Sequence, residues 1–162
     1  MGGWIAMNHA IYAPSHVRRL VLLGPMGLSP WRANLGVLVP FAWYAIRPTD
    51  AKFERIIIRA LGEGERVNRE FRPWMLIMGK CKPKTGQPFH LSSGKLRLIK
   101  APTLVILGGK DGLVGSATAA AKRARSIPDC DIEILPSAGH IMSVDEPEFV
   151  GKRIADFLGH AP

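Results

Sequence analysis

Three short, nearly unbroken aliphatic runs constrain this 162-residue chain most. They are residues 19–24 (RLVLLG), 102–108 (PTLVILG) and 131–136 (DIEILP), each closed by Gly or Pro. Continuous Val, Ile and Leu is what a strand covered on both faces needs, so the runs read as buried parallel strands. The third alternates polar and apolar residues, which suits a less covered strand at a sheet edge. Helical segments surround them. Residues 3–12 form a compact apolar stretch that stops before Ala13-Pro14. Residues 115–125 are Ala-rich, with Lys122, Arg123 and Arg125 where a helix dipole favours cations. Residues 147–158 start on Pro147 and place Phe149, Val150, Ile154, Phe157 and Leu158 at helical spacing. The order is helix, strand, long insertion, strand, helix, strand, helix. That alternation implies an α/β fold with a parallel sheet and right-handed crossovers.

The insertion divides the chain into a core, residues 1–28 and 101–162, and a helical cap, residues 29–100. Thr49 or Asp50 can cap a helix with Phe53, Ile56, Ile57, Ala60 and Leu61 on one face. Val67, Phe71, Trp74, Met75 and Met78 share the face of a second, bent at Pro73. Residues 82–93, rich in Pro, Gly and Ser, read as a loop returning to the core. A long insertion between strands of such a sheet usually covers a site.

Charge follows the same division. Of a formal net charge of +9, residues 47–100 carry +8, whereas residues 101–162 carry −2. A basic stripe can hold nucleic acid, but this one lacks the interleaved aromatics that stack bases, so a solvated face is expected and no nucleic-acid partner. The longest apolar stretch, residues 36–46, is broken by Pro40 and falls short of the ~18 residues of a membrane-spanning helix. No early Lys or Arg precedes an apolar run, so no secretory leader is read, and a cytoplasmic location is the expectation. Cys81 and Cys130 are read as two thiols rather than a disulfide. His9, His16, His90, His140 and His160 show no ligand spacing, so neither metal nor cofactor is expected.

Two turns can carry chemistry. Gly108-Gly109-Lys110-Asp111 follows the second strand, at the C-terminal edge where open α/β sheets place ligand sites. An Asp there either holds its own turn and the next helix start or serves a reaction. Ser137-Ala138-Gly139-His140 occupies the matching place after the third strand. A lone His is commonly structural. A carboxylate and an imidazole on adjacent units of one sheet edge, however, are the materials of an oriented general base.

These turns resemble the acid and histidine segments of the α/β-hydrolase superfamily, in which nucleophile, acid and histidine follow in chain order. The spacing from Asp111 to His140 suits that family, and residues 18–25 resemble its sixth strand. The resemblance implies the C-terminal portion of an α/β-hydrolase fold, about three parallel strands with flanking helices plus a helical cap. Met1-Gly2-Gly3-Trp4-Ile5-Ala6 looks like the segment that begins one residue after the nucleophile of G-x-S-x-G. On that alignment Asp111 and His140 are the catalytic acid and base. Met1 holds the position whose N–H lines the oxyanion hole, and the nucleophilic Ser falls just before it. The isolated chain is then expected to be inactive.

The resemblance further implies a serine hydrolase acting on a small apolar ester or acyl substrate. Trp31, Phe41, Trp43, Trp74, Met75 and Met78 are candidate pocket lining, although packing of the cap onto the core is the more common reason for most such residues. Residues 23–28 also look like the corresponding segment of carbon–carbon-bond hydrolases, and thioesterases and haloperoxidase-like members share the triad. The competing expectation is a non-catalytic interaction module, or truncated pseudoenzyme, using the basic cap.

Overall fold

In a computed structural model, the second aliphatic run becomes the centre of the sheet. The structure describes residues 1–28, 39, 42–44, 46–47, 49–61, 73–74, 77 and 90–159. Strand β1 is Leu20–Leu23, β2 is Thr103–Gly108 and β3 is Cys130–Leu135. They pair in parallel in the order β1-β2-β3, with Leu23 opposite Ile106 and Gly108 opposite Leu135. Every residue of β2 is buried, whereas in β3 only Leu135 is. Strand β3 is less covered, as expected of an edge, but its burial does not follow the polar–apolar alternation of its sequence, since Ile134 is exposed and Glu133 half-buried.

Two-residue periodicity sorts the side chains to opposite faces. Val105 and Leu107 face one core with Leu20, Leu22 and Ile132. Helices α1 (Gly2–Tyr12) and α4 (Ala117–Ala124) cover it through Met7, Ala10, Ala120, Ala121 and Ala124. Leu104 and Ile106 face the other core, covered by Met142 of α5 (Met142–Asp145) and by Val150 and Phe157 of α6 (Pro147–Gly159). Arg153 of α6 bridges Asp131 and Glu133, which tethers that helix to β3.

Within the insertion, helix α2 is Asp50–Leu61. Thr49 caps it: its carbonyl accepts from Lys52 and Phe53 N–H, and its hydroxyl stands 3.4 Å from Lys52 N. Ile56 is buried and Phe53 half-buried on the expected face, with Tyr44 5.4 Å from the Phe53 ring. The side chains of Ile57, Ala60 and Leu61 lie outside the described residues, as do Val67 and Phe71. The described end of the insertion packs on the core through Leu91, Leu96 and Ile99. Ser92 caps a short helix α3 (Ser93–Leu96), and Leu91 N–H donates to Gly27 O. Arg123 donates to the Leu91 carbonyl, so both stems of the insertion are fastened near one point.

One helix starts later than its composition implies. Gly115 has φ +84°, outside the helical region, and the Ser116 hydroxyl accepts from Ala119 N–H. The helix therefore begins at Ala117 rather than at Gly115.

Cys130 is free, and its thiol is pushed up to about 11 by burial and then by the Asp131 and Asp129 carboxylates. At pH 8 this lowers the thiolate fraction ~100-fold, so iodoacetamide should label the Cys130 peptide correspondingly slowly. Labelling at the rate of a small free thiol would contradict that environment. In urea unfolding, Leu107→Ala should cost roughly 2–5 kcal/mol because it empties a fully enclosed position. Ile134→Ala, on the exposed part of β3, should cost under about 1 kcal/mol.

Candidate active site

The parallel register brings three turns together at the C-terminal edge of the sheet. Gly24 N–H donates to Ile106 O, and Gly109 N–H donates to Leu135 O, so each strand end is stitched to the next. Asp111 and His140 follow β2 and β3 at this edge. His140 Nδ1 lies 2.8 Å from Asp111 Oδ2. A carboxylate only accepts hydrogen bonds, so Nδ1 carries the proton and Nε2 is the basic nitrogen.

The Asp111 carboxylate also holds its own turn. Oδ1 accepts from Leu113 N–H at 2.8 Å and from Val114 N–H at 3.0 Å. One oxygen therefore holds the turn, and the other meets the imidazole. The side chain is only 3% exposed, against 24% for His140. Three donated hydrogen bonds compensate its burial, and the imidazole keeps a solvent-facing side.

Missing side chains make this approach possible. A Cβ on Gly108 would overlap Gly139 O and come within 2.6 Å of Ala138 O, so the two turns touch backbone to backbone. Gly24 closes the third side. It has φ +48°, and a Cβ there would lie 3.0 Å from Asp111 Oδ2, 3.2 Å from His140 Nδ1 and 3.3 Å from Met142 Cε. The next residue, Pro25, packs against Gly3, where a Cβ would come within 2.7 Å of the proline ring. The first turn of α1, with Met1 as its N-cap, thereby stands beside the Asp111–His140 pair across Gly24-Pro25.

Sequence reasoning missed Gly24 and Asp145. Asp145 Oδ2 accepts Gly139 N–H at 2.8 Å, and its only sequence signal is an acidic residue on the turn after His140. Of the candidate pocket residues, Trp31, Phe41, Met75 and Met78 lie outside the described residues. Trp43 is half exposed, with Lys52 Nζ 4.1 Å from its ring centroid, and Trp74 is exposed. An open groove of about 400 Å³, lined by Arg19, Pro102, Asp129, Asp131, Arg153 and Phe157, contains none of these residues. Among the described residues no three His, Cys, Asp or Glu side chains cluster as metal ligands. No described helix is long and apolar enough to cross a membrane.

A sequence profile described as "Alpha/beta hydrolase family" matches residues 1–153. Carboxylesterase YbfK of Bacillus subtilis (strain 168) is 25% identical over 167 residues, covering 98% of this chain and 55% of that protein. The crystal structure of carboxylesterase CesB (YbfK) from Bacillus subtilis superposes with a TM-score of 0.79 at 23% identity, over 99% of this chain and 58% of that one. Monoacylglycerol lipase ABHD6 of Homo sapiens is 37% identical over 181 residues, 98% of this chain and 52% of that protein. The 2-hydroxymuconate semialdehyde hydrolase of Pseudomonas putida is 27% identical over 176 residues, 99% of this chain and 60% of that protein. The chain spans between about half and three-fifths of the length of these curated relatives. The structural likeness shows the α/β-hydrolase fold, and the three-stranded parallel sheet with flanking helices is part of it.

Asp111→Asn separates the two duties of the carboxylate. Its carbonyl oxygen still serves the Leu113 and Val114 amides, but its amino group faces Nδ1 as a donor. His140 should move its proton to Nε2, and the downfield Nδ1–H proton resonance should disappear while the melting temperature changes little. An unchanged Nδ1–H resonance would contradict the geometry.

Proposed function

The chain belongs to the alpha/beta hydrolase family, and from that premise we propose that the whole protein is a serine hydrolase of esters or related acyl substrates. The observation that carries this reading is the 2.8 Å contact between His140 Nδ1 and the buried Asp111 carboxylate, at the sheet edge beside the start of α1.

In this reading the nucleophile is a serine immediately before Met1. His140 Nε2 removes the hydroxyl proton as the serine oxygen attacks the substrate carbonyl. Asp111 fixes the tautomer and stabilises the imidazolium, without taking the proton itself. The Met1 backbone N–H, at the N-terminus of α1, is one donor to the oxyanion. The imidazolium then protonates the leaving alcohol, which departs and leaves an acyl-enzyme. Water, deprotonated by His140, attacks that ester, and the acid and the free serine are released. The acid and base on this chain cannot turn over an ester without the nucleophile.

The insertion supplies the substrate side. Trp31, Phe41, Trp43, Trp74, Met75 and Met78 are proposed as apolar lining, which favours a sizeable apolar acyl or alcohol group. A carbon–carbon-bond cleavage is the second reading, favoured by likeness to the Pseudomonas putida hydrolase named above. The same acid and base serve both reactions.

The test is hydrolysis of p-nitrophenyl esters of several chain lengths, and of a dienoate ring-fission product, by the full-length protein. His140→Ala should lower kcat by at least ~10³-fold, because the base is lost whatever the acyl chain. Turnover that survives the substitution removes His140 from the mechanism. A full-length protein inert on all these substrates would favour a binding module.

A further inference from the structure

His140 sits on a turn that is gripped from two sides. On one side Lys110 N–H donates to Ala138 O at 2.9 Å, and Gly108 backs directly on the Gly139 carbonyl. On the other, Asp145 Oδ2 accepts the Gly139 N–H, the amide immediately before His140. The peptides leading into the imidazole are thus fixed between the Asp111 turn and the last residue of α5. Ser137 Oγ adds an exposed tie, donating to Glu146 Oε1 at 2.7 Å.

The second oxygen of Asp145 makes this grip unusual. Oδ1 is shielded from solvent and has no hydrogen-bond partner among the described residues. Leaving a buried acceptor unmatched is costly, so a carboxylate is an expensive way to hold one amide. A role confined to closing the turn would be met by a smaller side chain. Ala138, the residue before Gly139, is fully buried in the cluster of Leu104, Leu135 and Met142, which anchors the turn on its inner side.

We propose that Asp145 is a positioning residue for His140. It pins the Gly139 peptide and so sets the imidazole in register with Asp111, without touching the reacting atoms. The proposal rests on reading Asp111 and His140 as the acid and base of a hydrolase.

The test compares Asp145→Ala and Asp145→Asn in the full-length protein, reading kcat, KM, the His140 Nδ1–H resonance and the melting temperature. Asp145→Ala should lower p-nitrophenyl ester kcat about 10–100-fold with KM within about twofold, since misplacement of the base acts on the chemical step. Its Nδ1–H resonance should broaden or vanish. Asp145→Asn keeps an acceptor for the Gly139 amide and should restore kcat to within about threefold of the parent. An alanine variant that loses stability but keeps kcat and the resonance overturns the proposal, and so does an asparagine variant no better than alanine. Should alanine fail to fold, Asp145→Thr replaces it. That side chain is of similar size, its hydroxyl stops short of the amide, and an unchanged kcat and resonance would overturn the proposal. If the parent protein hydrolyses nothing, the hydrolase reading fails separately. The resonance then still decides whether Asp145 positions His140.

Discussion

The contact between two turns, after β2 and after β3, is the constraint on which the rest of the site depends. It places a shielded carboxylate 2.8 Å from an imidazole that keeps access to solvent. The parallel register sets it up by bringing Gly108 opposite Leu135, so that the two turns leave the sheet side by side. The absent side chain of Gly108 lets them close to backbone contact, and the absent side chain of Gly24 lets β1 close the third side. Any larger residue at Gly108 would press on the Ala138 and Gly139 carbonyls and move His140 away from its partner.

The Asp111 carboxylate joins fold to chemistry. One oxygen holds the backbone that leads towards α4, and the other orients the imidazole. The bonds to Leu113 and Val114 fix the direction in which Oδ2 points, and so set the register of His140. Three donors satisfy the lone pairs that burial removes from water, so the shielded carboxylate is not left unmatched. Asp145 acts from the other flank of His140, so carboxylates approach this turn from two directions. Only one of them meets the imidazole.

Much of the sheet was legible because aliphatic runs report burial directly: a strand buried on both faces has little choice but Val, Ile and Leu. The start of α4 was less so, because Gly115 and Ser116 continue the small-residue composition of the helix while adopting non-helical geometry. Asp111 and His140 were legible by position, each just past a strand. Gly24 and Asp145 were not. Gly24 matters through atoms that arrive from distant parts of the chain, and a glycine after a strand is ordinary. An acid between His140 and Pro147 carries no sequence pattern that marks it as the acceptor of the Gly139 amide. Within the insertion, α2 was legible through Thr49 and an apolar face. Its aromatic residues carry no pattern that separates pocket lining from packing.

The proposed function turns on one point, the assignment of Asp111 and His140 as acid and base for a serine directly before Met1. The most direct measurement is covalent labelling of the full-length protein with a fluorophosphonate, followed by mass analysis of the peptide that leads into Met1-Gly2-Gly3-Trp4. A single adduct is expected on the serine directly before Met1, and His140→Ala should suppress it. No adduct at that serine, or labelling indifferent to His140, would contradict it.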